Sequence, residues 1–184
     1  LVAALLLRGK PDAGGPTVGG PEQVAQHLKA GNEKLTAKDF VGAEKEFKLV
    51  LEADPINAEA RRQLAVAQGE TQNEQLLKTV KAKVAMSTTR ADIEAAMKLL
   101  GQIPAESVFR PPAAQKMAGK LVSYGIGQCK TKKFAECAWA ICRSYDIAPA
   151  ADPASIVTAD AVAAMKDAEK KLAKDKTFTP CKHK

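Results

Sequence analysis

Two stretches of this chain, 94 positions apart, carry the same residue types at the same spacing. From Gly31, Phe40 follows at +9, Ala43 at +12, Phe47 at +16 and Pro55 at +24. From Gly125, Phe134 follows at +9, Cys137 at +12, Ile141 at +16 and Pro149 at +24. The pattern describes a helical hairpin. A glycine on the first helix lets the second approach closely, a small residue sits opposite it, and large apolar residues fill the groove alongside. The proline then ends the second helix, because the residue before a proline avoids the helical region.

The remaining sequence points the same way. Aromatic residues are only 4% of the chain, which argues against a sandwich or barrel, since strands favour aromatic and β-branched side chains. The apolar share is 46%, an ordinary globular value that excludes wholesale disorder. Alanine is abundant, and Ala, Lys, Glu, Gln and Leu are strong helix formers. Apolar residues at three- and four-residue steps predict helices over 21–36, 38–51, 90–101, 113–129, 132–147 and 154–174. Asn57 is placed to cap a further helix, which either breaks at Gly69 and Thr71 or runs on to Met86. Ser87-Thr88-Thr89 reads as a turn and cap, and Pro111-Pro112 as punctuation.

The two registers resemble the tetratricopeptide repeat, a helix–turn–helix unit of 34 residues. One copy is Val24–Asn57 and another is Ala118–Ala151. A third, Asn73–Glu106, is degenerate: Val80 stands where the glycine belongs, and only Pro104 fits. The family's early aromatic is replaced by His27 and Leu121. The small residue late in the second helix is replaced by Val50, whereas Ser144 keeps it. Insertions at 58–72 and 107–117 separate the copies. The resemblance implies an all-α, tetratricopeptide-like superhelix of antiparallel helix pairs, closed by a capping helix at 154–174. It also implies a concave groove, lined by the first helix of each pair, that holds an extended peptide or a partner's helix. On that basis the candidate partner-binding residues are Asn32, Lys120 and Ser123, with Arg61 and Arg62 as weaker candidates in the first insertion.

The ends bear on location. Leu1 to Leu7 is an unbroken apolar run followed by Arg8 and Lys10. Seven residues cannot span a bilayer, which needs about 20. The run reads as the end of a membrane helix, the tail of a signal-peptide core, or a short apolar arm, the first being favoured. Residues 11–20 hold two Pro and four Gly and read as a flexible linker. The expected organisation is therefore a stub and linker at 1–20, a helical domain at 21–174 and a basic tail at 175–184. The four cysteines, Cys129, Cys137, Cys142 and Cys181, contain no C-x-x-C. They are either buried thiols or one or two disulfides in an oxidising compartment. Cys129 and Cys137 flank an expected turn and could pair, leaving Cys142 with Cys181. Basic residues after a span usually mark the cytoplasmic side. The even cysteine count opposes this, and the reading leans to the oxidising side.

The net charge of +7 is unevenly spread. Residues 21–57 hold 5 basic and 7 acidic residues, whereas 112–150 hold 6 basic and 2 acidic. The basic part could meet an acidic protein surface, an acidic peptide or a phospholipid surface. Nucleic acid is not expected, because few aromatics accompany the cations. Tyr124, Trp139 and Tyr145 belong to core or groove. No catalytic constellation is present: there are two histidines, and His27 reads as a packed or surface residue. Cys181 and His183 make a poor metal pair in a tail. No enzyme activity, cofactor or metal is expected. The expectation is a protein–protein interaction scaffold tethered to the periplasmic face of a bacterial inner membrane, in a secretion, pilus or motility assembly. The alternative is a soluble, cytoplasmic, peptide-binding co-chaperone.

Overall fold

The protein is described from a computed structural model, which covers residues 20–147 and 158–174. The described residues form seven α-helices and no strand. They are α1 Pro21–Thr36, α2 Phe40–Ala53, α3 Ala58–Met86, α4 Arg90–Gly101, α5 Arg110–Lys130, α6 Phe134–Ile147 and α7 Ala159–Leu172. The chain divides into two compact units, 1–68 and 69–184, and α3 runs through the division. Pro149 and Cys181, like the stub, most of the linker and the tail, lie outside the described residues.

In the first unit α1 and α2 form an antiparallel hairpin. Phe47 is fully buried against Gly31. A Cβ added at Gly31 would come within 2.5 Å of Phe47 Cε1, so the close approach requires glycine there. Val50, Ala43, Ala60 and Ala67 complete this core, with Val24, Leu28, Leu35 and Leu64 packed beside them. Pro21 stands at the start of α1, where no helical N–H partner is lost. Asp39 caps α2 by accepting a 2.9 Å bond from the Gly42 N–H.

The second unit holds the α5–α6 hairpin, and it repeats the first at the level of the backbone. Lys38 and Lys132, again 94 positions apart, are the only non-glycine residues with positive φ among those described, at 62° and 63°. In the first turn Ala37 N–H donates to Glu33 O, Lys38 to Leu35 O and Asp39 to Lys34 O. In the second turn Thr131 donates to Gly127 O, Lys132 to Cys129 O and Lys133 to Gln128 O. Both turns are thus the same helix stop, in which the amide of a left-handed residue and the amide after it satisfy the last carbonyls. Gly125 repeats the role of Gly31: an added Cβ would lie 2.8 Å from Ile141 Cγ1 and 3.2 Å from the Cys137 carbonyl oxygen.

The structure resolves an alternative the sequence leaves open in α3 and departs from the expectation at the start of α5, each with a local cause. The 58–72 insertion is helical and lengthens α3, because Gly69 costs only about 1 kcal/mol in a helix whose Leu77, Val80 and Val84 are anchored in the second core. The 107–117 insertion supplies the start of α5. Pro111 and Pro112 do not break the chain there; they sit in the first turn of α5, whose amides need no partner. The α4–α5 connection is tied to α3, since Glu70 accepts from the buried Ser107 hydroxyl (2.9 Å) and from Asn73 Nδ2 (3.2 Å). Thr89 and Asp92 cap α4 reciprocally, and the Arg110 guanidinium donates to the Leu100 and Ile103 carbonyls at its other end, both at 2.6 Å.

Cys129 and Cys137 form a disulfide across the α5–α6 turn, with Cα atoms 5.2 Å apart. Cys142 is also oxidised. The last helix, α7, lies on this hairpin: Met165 and Ala168 pack with Cys137, Ala138 and Ile141, and Ala161 packs with Ala118 and Val122 of α5. The Ala164 carbonyl oxygen is 3.3 Å from Cys129 Sγ. With no thiol proton present this is a packing contact of α7 on the disulfide.

Candidate functional site: a lysine-lined groove between two helices

Helix α5 divides its circumference among its neighbours. Ala113, Ala114, Met117 and Leu121 face the core shared with α3 and α4, while Ala118 and Val122 face α7. The side left over, Pro112, Gln115, Lys116, Gly119, Lys120 and Ser123, forms one wall of an open groove of about 1000 Å³. The other wall is the C-terminal half of α3, through Lys81, Ala82, Val84 and Ala85. Apart from the lysines, Gln115 and Ser123, the lining is small and apolar, and no carboxylate is among the described lining residues.

Charge is the groove's distinguishing feature. Lys116 and Lys120 lie four residues apart on α5, so their backbone positions share one face about 6 Å apart along the axis. Lys81 faces them from α3. None of the three is in an ion pair with a described residue; among the described lysines of the second unit only Lys78 is paired, with Glu74 at 2.8 Å. Ser123 donates its hydroxyl proton to the Gly119 carbonyl at 2.9 Å.

Of the sequence-derived candidates, Lys120 and Ser123 come together here. Asn32, Arg61 and Arg62 belong to the first unit and are exposed. Asn32 contributes its carbonyl oxygen to Thr36 Oγ1 at 3.0 Å. Arg61 donates to the Pro55 carbonyl and Arg62 to Glu59, each at 2.5 Å, so both guanidiniums are engaged close to home. Sequence reasoning missed Lys81 and Lys116. Lys81 follows Val80, the origin of the degenerate copy, at the same step by which Asn32 follows Gly31; that correspondence was the available signal. Lys116 lies in the 107–117 insertion, where no register applies.

The large aromatics are elsewhere. Trp139 and Tyr124 meet edge to face with centroids 6.4 Å apart. The Arg90 guanidinium sits 4.2 Å above the Trp139 ring and reaches Glu94 at 2.9 Å and Glu136 at 3.2 Å. Burial, then the Glu136 charge, pushes the Tyr124 hydroxyl above its ordinary range. This cluster joins α4, α5 and α6 and has every mark of a structural tie. In the first unit His27 Nδ1 and Lys34 Nζ converge on Glu46, at 2.8 and 2.5 Å, and hold its carboxyl below the usual range, Lys34 contributing most.

Among the described residues, no cluster of three or more His, Cys, Asp or Glu could hold a metal ion, and no helix is long and apolar enough to cross a membrane. Compared with known proteins, the chain matches no family model, no curated protein and no solved structure.

Proposed function

We propose that this chain is a non-catalytic protein–protein interaction scaffold. It is a tetratricopeptide-like helical domain that docks a partner segment in the groove between α3 and α5. Residues 1–20 tether it to the periplasmic face of a bacterial inner membrane, within a secretion, pilus or motility assembly. The observation that carries this reading is the groove itself, an open slot of about 1000 Å³ between two helices lined by three lysines that form no ion pair with a described residue.

Other features support parts of the proposal. The turn hydrogen bonds recur at a spacing of 94 residues, as duplicated hairpins require. Helix α7 covers the last hairpin, as the terminal helix of a stacked array does. The Cys129–Cys137 disulfide favours an oxidising compartment, because such bonds are rare in the cytosol. That counts toward the tethered scaffold and against the cytoplasmic co-chaperone.

The test is photo-crosslinking in the native cell. A crosslinking side chain at Ser123 should give a discrete adduct that disappears when Lys81 and Lys120 are changed to Glu. The same probe at Lys98, exposed on α4, should not give that adduct. Identical adduct patterns at both positions, or none at Ser123, would sink the docking role.

A further inference from the structure

We infer that the occupant of the α3–α5 groove is an extended acidic peptide segment of a partner protein, recognised by its density of carboxylates rather than by a chain end or a fixed sequence. This rests on the docking reading above and goes beyond it in naming the ligand's chemistry.

Charge is the first argument. Three lysines from two helices line one groove, and none of its described lining residues is a carboxylate that could offset them. Like charges gathered this way repel one another in the free protein, and a bound polyanion removes that cost while drawing its partner in over a distance. The shape of the walls is the second. Ala82, Ala85, Pro112 and Gly119 between the lysines leave room for an extended backbone to lie close. A slot between two helices fits a chain, whereas a bilayer surface is broad and cannot enter it. The absence of any aromatic among the lining residues removes the stacking platform on which single-stranded nucleic acids depend.

The third argument concerns which donors are present. The groove walls are the sides of α3 and α5, where backbone amides are already spent on the helix. The lining holds no arginine, so no planar fork is available to fix a carboxylate's orientation. Lysine ammoniums are point charges on flexible stems. Such a site counts carboxylates and tolerates shifts in their register. Its affinity therefore falls with ionic strength, and its selectivity for sequence is low.

The experiment uses the full, oxidised chain and two fluorescein-labelled octapeptides, one rich in Glu and the other its Gln isostere, followed by fluorescence anisotropy. The Glu peptide should bind at least about tenfold more tightly at low salt, and the difference should shrink at physiological salt. Lys81→Gln combined with Lys116→Gln and Lys120→Gln should abolish the preference. The matched Arg substitutions should retain it. Changing Lys98, Lys130 and Lys133 to Gln, at exposed positions outside the groove, should alter affinity less than about twofold. Equal binding of both peptides overturns the acidic specificity and leaves docking standing. Equal loss in the groove and control variants overturns it as well, by showing a bulk charge effect. Displacement of the Glu peptide by an anionic vesicle or an oligonucleotide at lower charge concentration assigns the groove to that ligand and overturns the inference. Binding of neither peptide also overturns it, while docking keeps its separate crosslinking test.

Discussion

The hairpins α1–α2 and α5–α6 share a backbone and differ in what locks it. Both turn through a lysine at positive φ, and both press a large side chain onto a glycine. The first adds a charge latch, with His27 and Lys34 gripping Glu46 across the helix pair. The corresponding positions in the second are Leu121, Gln128 and Ala140, which cannot make it. The second adds the Cys129–Cys137 bond, where the first has Leu35 and Ala43. Their caps differ too. Asp39 caps α2, but its counterpart before α6 is Lys133, which has no oxygen to accept an amide and carries the wrong sign for a helix N-terminus. The hairpin geometry therefore needs only the turn and the glycine contact. The latches decide what each copy responds to, and the disulfide holds α6 at the end that has no cap.

The sharpest way to break the comparison is to attack what the copies share. Phe47→Ala and Ile141→Ala each remove a fully buried side chain and should cost about 3–5 and 2–5 kcal/mol respectively. Urea unfolding gives the total, and hydrogen exchange should localise each loss to its own hairpin. Removing the disulfide comes next. Cys129→Ala with Cys137→Ala opens a loop of sequence separation 8 and should cost about 2–3 kcal/mol by the chain-entropy relation. Reductant should then raise amide exchange in α5–α6 and leave α1–α2 unchanged; equal effects on both would refute the division of labour.

Exchanging the caps gives a smaller effect. Asp39→Ala should lose about 1 kcal/mol, and Lys133→Asp should gain a similar amount, most visibly in the reduced protein. The charge latch gives the smallest. Glu46→Gln should cost less than about 1 kcal/mol, because both cations are partly exposed. Its pH dependence has a fixed sign. The Glu46 carboxyl is lowered from its ordinary 4.5, so its contribution is complete above that value and is lost as the pH falls through the lower, folded-state value. An acid titration should loosen α1–α2 with an amplitude that Glu46→Gln removes, while α5–α6 shows no matching component.

The sequence made some of this legible and hid the rest for physical reasons. Helix positions and the Gly31/Phe47 and Gly125/Ile141 contacts follow from spacing alone, because a hairpin interface repeats at helical steps. The turns could be placed but not their backbone geometry: a left-handed position is usually announced by Gly or Asn, and here it is filled by Lys38 and Lys132. The extension of α3 was left undecided at Gly69, since tertiary anchoring by Leu77 and Val80 settles what propensity cannot. Half of the groove was visible, in Lys120 and Ser123. The other half depended on α3 and α5 lying side by side, which no local pattern around Lys81 or Lys116 declares.

The loop closed by Cys129 and Cys137 contains Lys130, Lys132 and Lys133, all exposed at a helix turn, the kind of place where proteases nick folded proteins. A trypsin-like cut there opens the backbone without parting the fragments, which the sulfur bridge keeps together until a reductant arrives. A cut after Lys38, equally exposed, has no such bridge across it. On a gel, the same lesion in two equivalent turns would read as an intact molecule in one case and as two pieces in the other.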